Sequence, residues 1–148
     1  MRVYLDNCCY NRPYDDQSQM RISLEAQAKL YIQGLIRSSQ MELVSSYVLR
    51  YELSRNPNPN IKDGIQRFID EFSYVYVSEK NNEEIEKIAL EIQKTGIKKM
   101  DALHVACAIY SKAEYFLSTD DRLLKYKTDK IKVENPMTFI REMEVEND

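Results

Sequence analysis

Apolar residues follow two rhythms along this chain, and the alternation between them is its main organising feature. Short runs predict buried strands: "RVYL" (2–5), "MELVSS" (41–46), "YVYVS" (74–78), "YFLS" (115–118) and "KIKVE" (130–134), each bounded by polar or turn-forming residues. Between them the apolar positions recur at helical spacing. "SLEAQAKLYIQGLIRSS" (23–39) carries Leu24, Ala28, Leu30, Tyr31 and Leu35 and predicts a long amphipathic helix. "YVLRYELSRN" (47–56) is stopped by "PNP", and "IKDGIQRFIDEF" (61–72) follows. "NNEEIEKIALEIQKTG" (81–96) has an Asn cap, early acids, Lys94 near its end and Gly96 beyond it.

"KKMDALHVACAIYSKA" (98–113) is almost wholly apolar after Asp101, so it predicts a buried helix. "TDDRLLKYK" (119–127) reads as a short helix or turn, and "PMTFIREME" as a last helix with Pro136 at its start. "NCCYNRPYDDQ" (7–17) reads as a polar loop. Short strands separated by helices imply an α/β fold, a three-layer α/β/α sandwich around a mostly parallel sheet of four to five strands. In such sheets ligands sit beyond the carboxyl ends of the strands.

Composition narrows the class. The chain is 43% hydrophobic and 30% charged, with few Gly and Pro, which fits one globular domain rather than a disordered or fibrous chain. No apolar run approaches the roughly 20 residues of a membrane span, and Asp6 interrupts the N-terminal apolar run before a signal sequence could form. A cytoplasmic protein is expected. Cys8, Cys9 and Cys107 lack the spacing of a zinc site or disulfide framework and are expected to be reduced thiols. The net charge of -3 is carried by "REMEVEND" (141–148), so residues 1–140 form a neutral domain followed by an acidic tail, read as a frayed helix end.

The acids are the candidate chemistry. Asp6 follows the first strand directly, Glu52 lies in the helix after the second, and Asp120 and Asp121 follow the fourth. All three segments end on one edge of a parallel sheet. Asp101 opens the buried helix; on its own it is equally a helix N-terminal acid favoured by the dipole or a carboxylate held over the strand ends. Converging carboxylates repel one another and cluster only with protons or cations. An all-oxygen set, with no ligating Cys and one His in the chain, favours Mg²⁺ or Mn²⁺ over zinc. The matching chemistry is metal-assisted phosphodiester hydrolysis.

The order "VYLDN" – "SYVLRYELSR" – "KKMDALHVACA" – "FLSTDDRLLK" resembles the PIN-domain family of metal-dependent nucleases, and the resemblance spans essentially the whole chain. It implies a Rossmann-like fold, a four-acid site at Asp6, Glu52, Asp101 and Asp120, support from Asn7 and Ser118, dependence on Mg²⁺ or Mn²⁺, and cleavage of RNA. Small prokaryotic members of the family are similar to the toxin half of toxin–antitoxin pairs. The resemblance therefore also implies an antitoxin protein as partner, and a homodimer. The chain departs from the family in "NCCYNRPYDDQ", which replaces a simpler Thr or Ser stretch. Asp121 is either a fifth ligand or the cap of the short helix.

Other residues carry weaker signals. His104 shares a helix face with Asp101; a packed, hydrogen-bonded role is expected rather than a base or ligand. Arg50, Arg55, Lys98, Lys99, Arg122 and Lys125 flank the acids and are candidates for holding RNA phosphates, or form an ordinary solvated surface. Arg12, Asp15 and Asp16 would shape the rim of the site. Tyr31, Tyr47 and Tyr110 fall on apolar faces and are expected in the core or a dimer contact. The competing functions are a catalytically silent PIN-like module binding RNA or protein, a structure-specific DNA nuclease, and a phosphotransfer domain. A silent module would be expected to have lost some of the four acids. The dehalogenase type of phosphotransfer domain needs an acid at position 8, which is Cys, and the receiver type needs paired acids near the first strand and a lysine after a late strand, neither of which is evident.

Overall fold

The computed structural model describes the backbone of residues 1–147 and the side-chain surroundings of residues 1–145. Five short strands, β1 (Arg2–Leu5), β2 (Glu42–Ser46), β3 (Ser73–Val77), β4 (Tyr115–Leu117) and β5 (Lys132–Glu134), form one wholly parallel sheet in the order β3-β2-β1-β4-β5. Eight helices surround it: α1 (Asn7–Asn11), α2 (Met20–Arg37), α3 (Tyr47–Ser54), α4 (Pro59–Phe72), α5 (Asn82–Gln93), α6 (Lys99–Tyr110), α7 (Asp121–Leu124) and α8 (Pro136–Asn147).

Strand alternation divides the core into two layers. On β1, Val3 and Leu5 pack with Ile32, Ile36, Ile65, Phe68 and Phe139 from α2, α4 and α8. Tyr4 faces the other way, into Val44, Phe116 and the α5 and α6 residues Ile85, Ala89, Ala102 and Val105. The small residues Ala102, Ala106, Cys107 and Ala108 let α6 lie against the sheet, and all are fully buried. The chain runs from β1 outward to β2 and β3, then returns to β4 and β5 on the other side. The carboxyl ends of β2, β1 and β4 therefore flank the point where strand order reverses, where open α/β sheets bind ligands.

Two expectations are corrected. Residues 7–14 are not an open loop: Asp6 caps α1, and a 3-10 turn covers Arg12–Tyr14. Burial of Cys9 and Tyr10 drives this, and the end of β1 followed by the capping Asp6 supplies the helix start. The helix α2 also presents a different face. Leu24, Leu30 and Tyr31 are exposed, at 44%, 51% and 57%. The buried stripe is Glu25, Lys29, Ile32 and Ile36, a helical row whose first two members are charged. Fully buried Glu25 is satisfied by Arg12 Nε at 2.8 Å, Arg21 Nε at 3.2 Å and the Asn135 amide. Lys29 sits over the rings of Tyr10 and Phe68, and burial lowers its pKa to about 8.

The segment expected as a separate acidic tail is the second half of α8; Asp148 lies outside the described residues. Among the described residues no helix is long and apolar enough to cross a membrane. Cys8, Cys9 and Cys107 are free thiols.

Candidate functional site

Asp6 is where β1 meets α1. Its backbone N–H still bonds Leu117 O on β4 at 2.9 Å, so the sheet fixes its position. Its carboxylate, 6% exposed, is held on both oxygens. Oδ1 accepts the Asn7 N–H at 2.8 Å; Oδ2 accepts the Ser118 hydroxyl at 2.9 Å and the Cys8 thiol at 3.4 Å. The turn after β4 is tied to the same hydroxyl, because the Asp120 N–H donates to Ser118 Oγ at 3.1 Å.

Glu52 comes from α3, whose N-terminus is capped by Ser46 accepting the Leu49 N–H at 3.0 Å. His104, fully buried on α6, lies with Nε2 3.2 Å from Glu52 Oε1 and Nδ1 2.6 Å from the Tyr4 hydroxyl. Tyr4 Oη is in turn 2.7 Å from Ser46 Oγ. Burial alone would lower the His104 pKa, but the Glu52 hydrogen bond and the charges of Asp6, Glu52 and Asp101 outweigh it and raise it above its ordinary value. One ligand atom each from Asp6, Glu52 and His104 lie within 4.8 Å of one another.

Asp101 stands in the first turn of α6, half-buried. The helix dipole there should favour the carboxylate. Its pKa is instead pushed up to about 6, first by burial and then by the charges of Asp6, Asp120 and Glu52, against a smaller opposing effect of His104. Asp101 thus lies within electrostatic reach of the other three sequence-predicted acids. Asp120 is exposed and caps α7, accepting the Arg122 N–H at 2.9 Å.

The flanking residues divide. Asp121 is bound to Arg21 through both oxygens, at 2.9 and 2.7 Å, which lowers its pKa. Arg21 also bonds Thr119 O at 3.2 Å, so it ties α2 to the turn that carries Asp120. Arg50 pairs with Asp70 and covers the Tyr76 ring; Arg55 covers the Tyr51 ring. Lys98, Lys99 and Arg122 are exposed and make no ion pair among the described residues. Arg12 turns inward to Asp15 and Glu25. Sequence reasoning missed Tyr4, Ser46 and Cys8 as neighbours of the acids. Strand periodicity held one clue, since residues 4 and 6 share a face.

A protein-family model described as the PIN domain matches residues 3–129. The chain belongs to the PIN-domain family. No curated protein matches it in sequence. Its fold is similar to those of VapBC2 from Rickettsia felis bound to a promoter DNA fragment (14% identity, TM-score 0.56, 91% of this chain and 98% of that one) and FitAcB from Neisseria gonorrhoeae (16%, 0.59, 91% and 98%). It is also similar to that of FitAB bound to an IR36 DNA fragment (16%, 0.56, 90% and 94%).

PIN domains are generally nucleases that use divalent metal ions, and the residues of this PIN domain suit such an ion. Asp6 and Glu52 lie together and Asp101 feels their charges and that of Asp120, yet among the described residues no Lys or Arg pairs with any of the four. Asn7 Oδ1, beside Asp6, is buried without a hydrogen-bond partner among the described residues. Carboxylate oxygens dominate the set, which fits hard cations such as Mg²⁺ or Mn²⁺.

Proposed function

We propose that this PIN domain is an Mg²⁺- or Mn²⁺-dependent endoribonuclease and the toxin of a toxin–antitoxin pair. The observation that carries the reading is that Asp6 and Glu52, from separate elements, each offer a carboxylate oxygen within 4.8 Å of the other, with Asp101 close enough to feel the charges of Asp6, Asp120 and Glu52. Asp6 and Glu52 would be the inner ligands, each already oriented by hydrogen bonds. Asp101 and Asp120 would complete the site. A bound divalent ion would neutralise the phosphodiester and supply an activated water. The chain's own part would be to hold Asp6 and Glu52 in place, to bring Asp101 and Asp120 to the same sheet edge, to keep Asp6 shielded from bulk water, and to present Lys98, Lys99 and Arg122 to flanking phosphates.

The toxin reading is supported by similarity to VapBC2 and FitAB, solved as complexes with DNA. It brings with it an antitoxin partner, a cytoplasmic setting and a homodimer. Exposed Tyr51 and Tyr76 border an apolar groove of about 520 Å³ between α3 and α6, which a second copy would cover. The deciding experiment is cleavage of RNA and of single- and double-stranded DNA with Mg²⁺, Mn²⁺ or chelator, using Asp6→Asn and Asp101→Asn as controls. RNA cleavage that needs the ion and both acids is expected. Cleavage surviving chelator and both substitutions overturns the reading, and cleavage confined to DNA replaces the substrate.

A further inference from the structure

We propose that His104 is a positioning residue, held in one tautomer by a buried Ser46–Tyr4 relay so that its Nε2–H orients Glu52. The inference rests on the reading of Glu52 as a metal ligand and adds to it a role for a residue outside the four acids.

The argument is one of hydrogen counting. Ser46 Oγ accepts the Leu49 N–H at 3.0 Å, so its own hydrogen is free to reach Tyr4 Oη, 2.7 Å away. Tyr4 then donates to His104 Nδ1 at 2.6 Å. With Nδ1 accepting, a neutral ring carries its hydrogen on Nε2, which faces Glu52 Oε1 at 3.2 Å. Every hydrogen in the row is used once. The other neutral tautomer would set the Nε2 lone pair against the carboxylate lone pairs. If the ring takes a second proton, Nδ1–H donates to Tyr4 and Tyr4 turns to Ser46. Nε2–H still points at Glu52, so the donor is present in both charge states.

Burial makes the arrangement rigid. Tyr4 and His104 are fully buried, and Ser46 is 1% exposed. Tyr4 is stacked on Phe116 with ring centres 5.3 Å apart, and meets His104 edge-on at 5.7 Å. The relay joins β1, β2 and α6, while Glu52 comes from α3. Glu52 is the partly exposed member, and a long acid at a helix surface needs such a fixed donor to stay beside Asp6. The tautomer also excludes His104 as a ligand: the nitrogen that faces Glu52 and Asp6 carries a hydrogen.

His104 is the chain's one histidine, so its ring signals stand alone in a ¹⁵N spectrum of His-labelled protein. Wild-type protein in chelator is expected to show Nε2 protonated, with Nδ1 bare wherever the ring is neutral, unchanged when Mg²⁺ is added. A proton on Nδ1 with Nε2 bare overturns the proposal, as does loss of the Nε2 proton on adding Mg²⁺. This measurement needs no variant. In parallel, Mn²⁺ binding is measured by calorimetry without RNA. His104→Leu is expected to weaken Mn²⁺ about tenfold; His104→Gln, which keeps an N–H donor, restores most of the affinity. His104→Leu combined with Glu52→Gln is expected to bind no worse than Glu52→Gln alone. A merely structural His104 would lower the melting temperature, leave Mn²⁺ affinity at the wild-type value and overturn the inference. Wild-type protein that binds no Mn²⁺, or Glu52→Gln binding as wild type does, instead overturns the metal reading and this inference with it.

Discussion

The Ser118 hydroxyl donates to Asp6 Oδ2 at 2.9 Å and accepts the Asp120 N–H at 3.1 Å, so one oxygen links two acids that lie 114 positions apart in the sequence. Asp6 is buried, and hydrogen bonds to buried charges contribute more than neutral ones. Ser118→Ala is expected to cost about 2 kcal/mol in urea unfolding and to weaken Mn²⁺ binding, while Ser118→Thr restores both. Unchanged stability and affinity in the Ala variant would show that the hydroxyl does not hold the pair.

Asp101 makes a prediction whose sign depends on metal. Its folded pKa, about 6, lies above the ordinary 3.8, so the fold disfavours its ionised form. That penalty is absent below about pH 3.8 and complete above about pH 6. In chelator at pH 7.5, Asp101→Asn is therefore expected to melt at a higher temperature than wild type, with the difference fading as pH falls to 4. Adding Mn²⁺ should reverse the order, because the ion stabilises only the chain that binds it well. Melting curves at both pH values, with and without Mn²⁺, check both signs.

What was legible in the sequence was local. The strands announced themselves by short apolar runs, and four acid motifs in the order expected of the family pointed to the PIN domain. What was not legible depended on distant partners. "NCCYN" has poor helix formers, yet it is helical because Asp6 caps it and Cys9 and Tyr10 are drawn into the core. The face of α2 was misread because Glu25 and Lys29 look like surface residues. Glu25 can be buried only through Arg12, Arg21 and Asn135. His104 was expected to be packed and bonded, but its partner Tyr4 is 100 residues away.

Asp121 tests one of the open readings of the sequence. Both its oxygens are taken by Arg21 at an exposed position. Asp121→Asn is expected to leave Mn²⁺ affinity unchanged and to cost under about 1 kcal/mol, as exposed ion pairs do. Loss of Mn²⁺ binding in this variant would instead make Asp121 a fifth ligand.

Glu134 and Glu142 form a pair away from the four acids, each with one oxygen buried and without a partner among the described residues. Burial, and then the Glu142 hydrogen bond and charge, raise the Glu134 pKa to about 7, with Lys132 and Lys127 opposing. The raised value means that stability present below the ordinary 4.5 is lost as pH climbs towards 7. Glu134→Gln, kept neutral, is expected to match wild type near pH 4.5 and to melt higher above pH 7. Parallel melting curves across that range would refute the raised Glu134 pKa.

Cys8 is the accessible thiol, since Cys9 and Cys107 are fully buried. Its sulfur lies 3.4 Å from Asp6 Oδ2 and accepts the Thr119 N–H at 3.3 Å, so it reports directly on the inner acid. A thiol reagent is expected to label one cysteine in native protein and three in denaturant. Mn²⁺ should slow the native reaction by holding Asp6 and closing the approach to the sulfur. Alkylated protein should in turn bind Mn²⁺ more weakly, because the added group occupies space beside Oδ2. Labelling at the same rate with and without Mn²⁺, together with unchanged affinity after alkylation, would place the ion away from Asp6. That result would separate metal binding at this sheet edge from metal binding elsewhere on the chain.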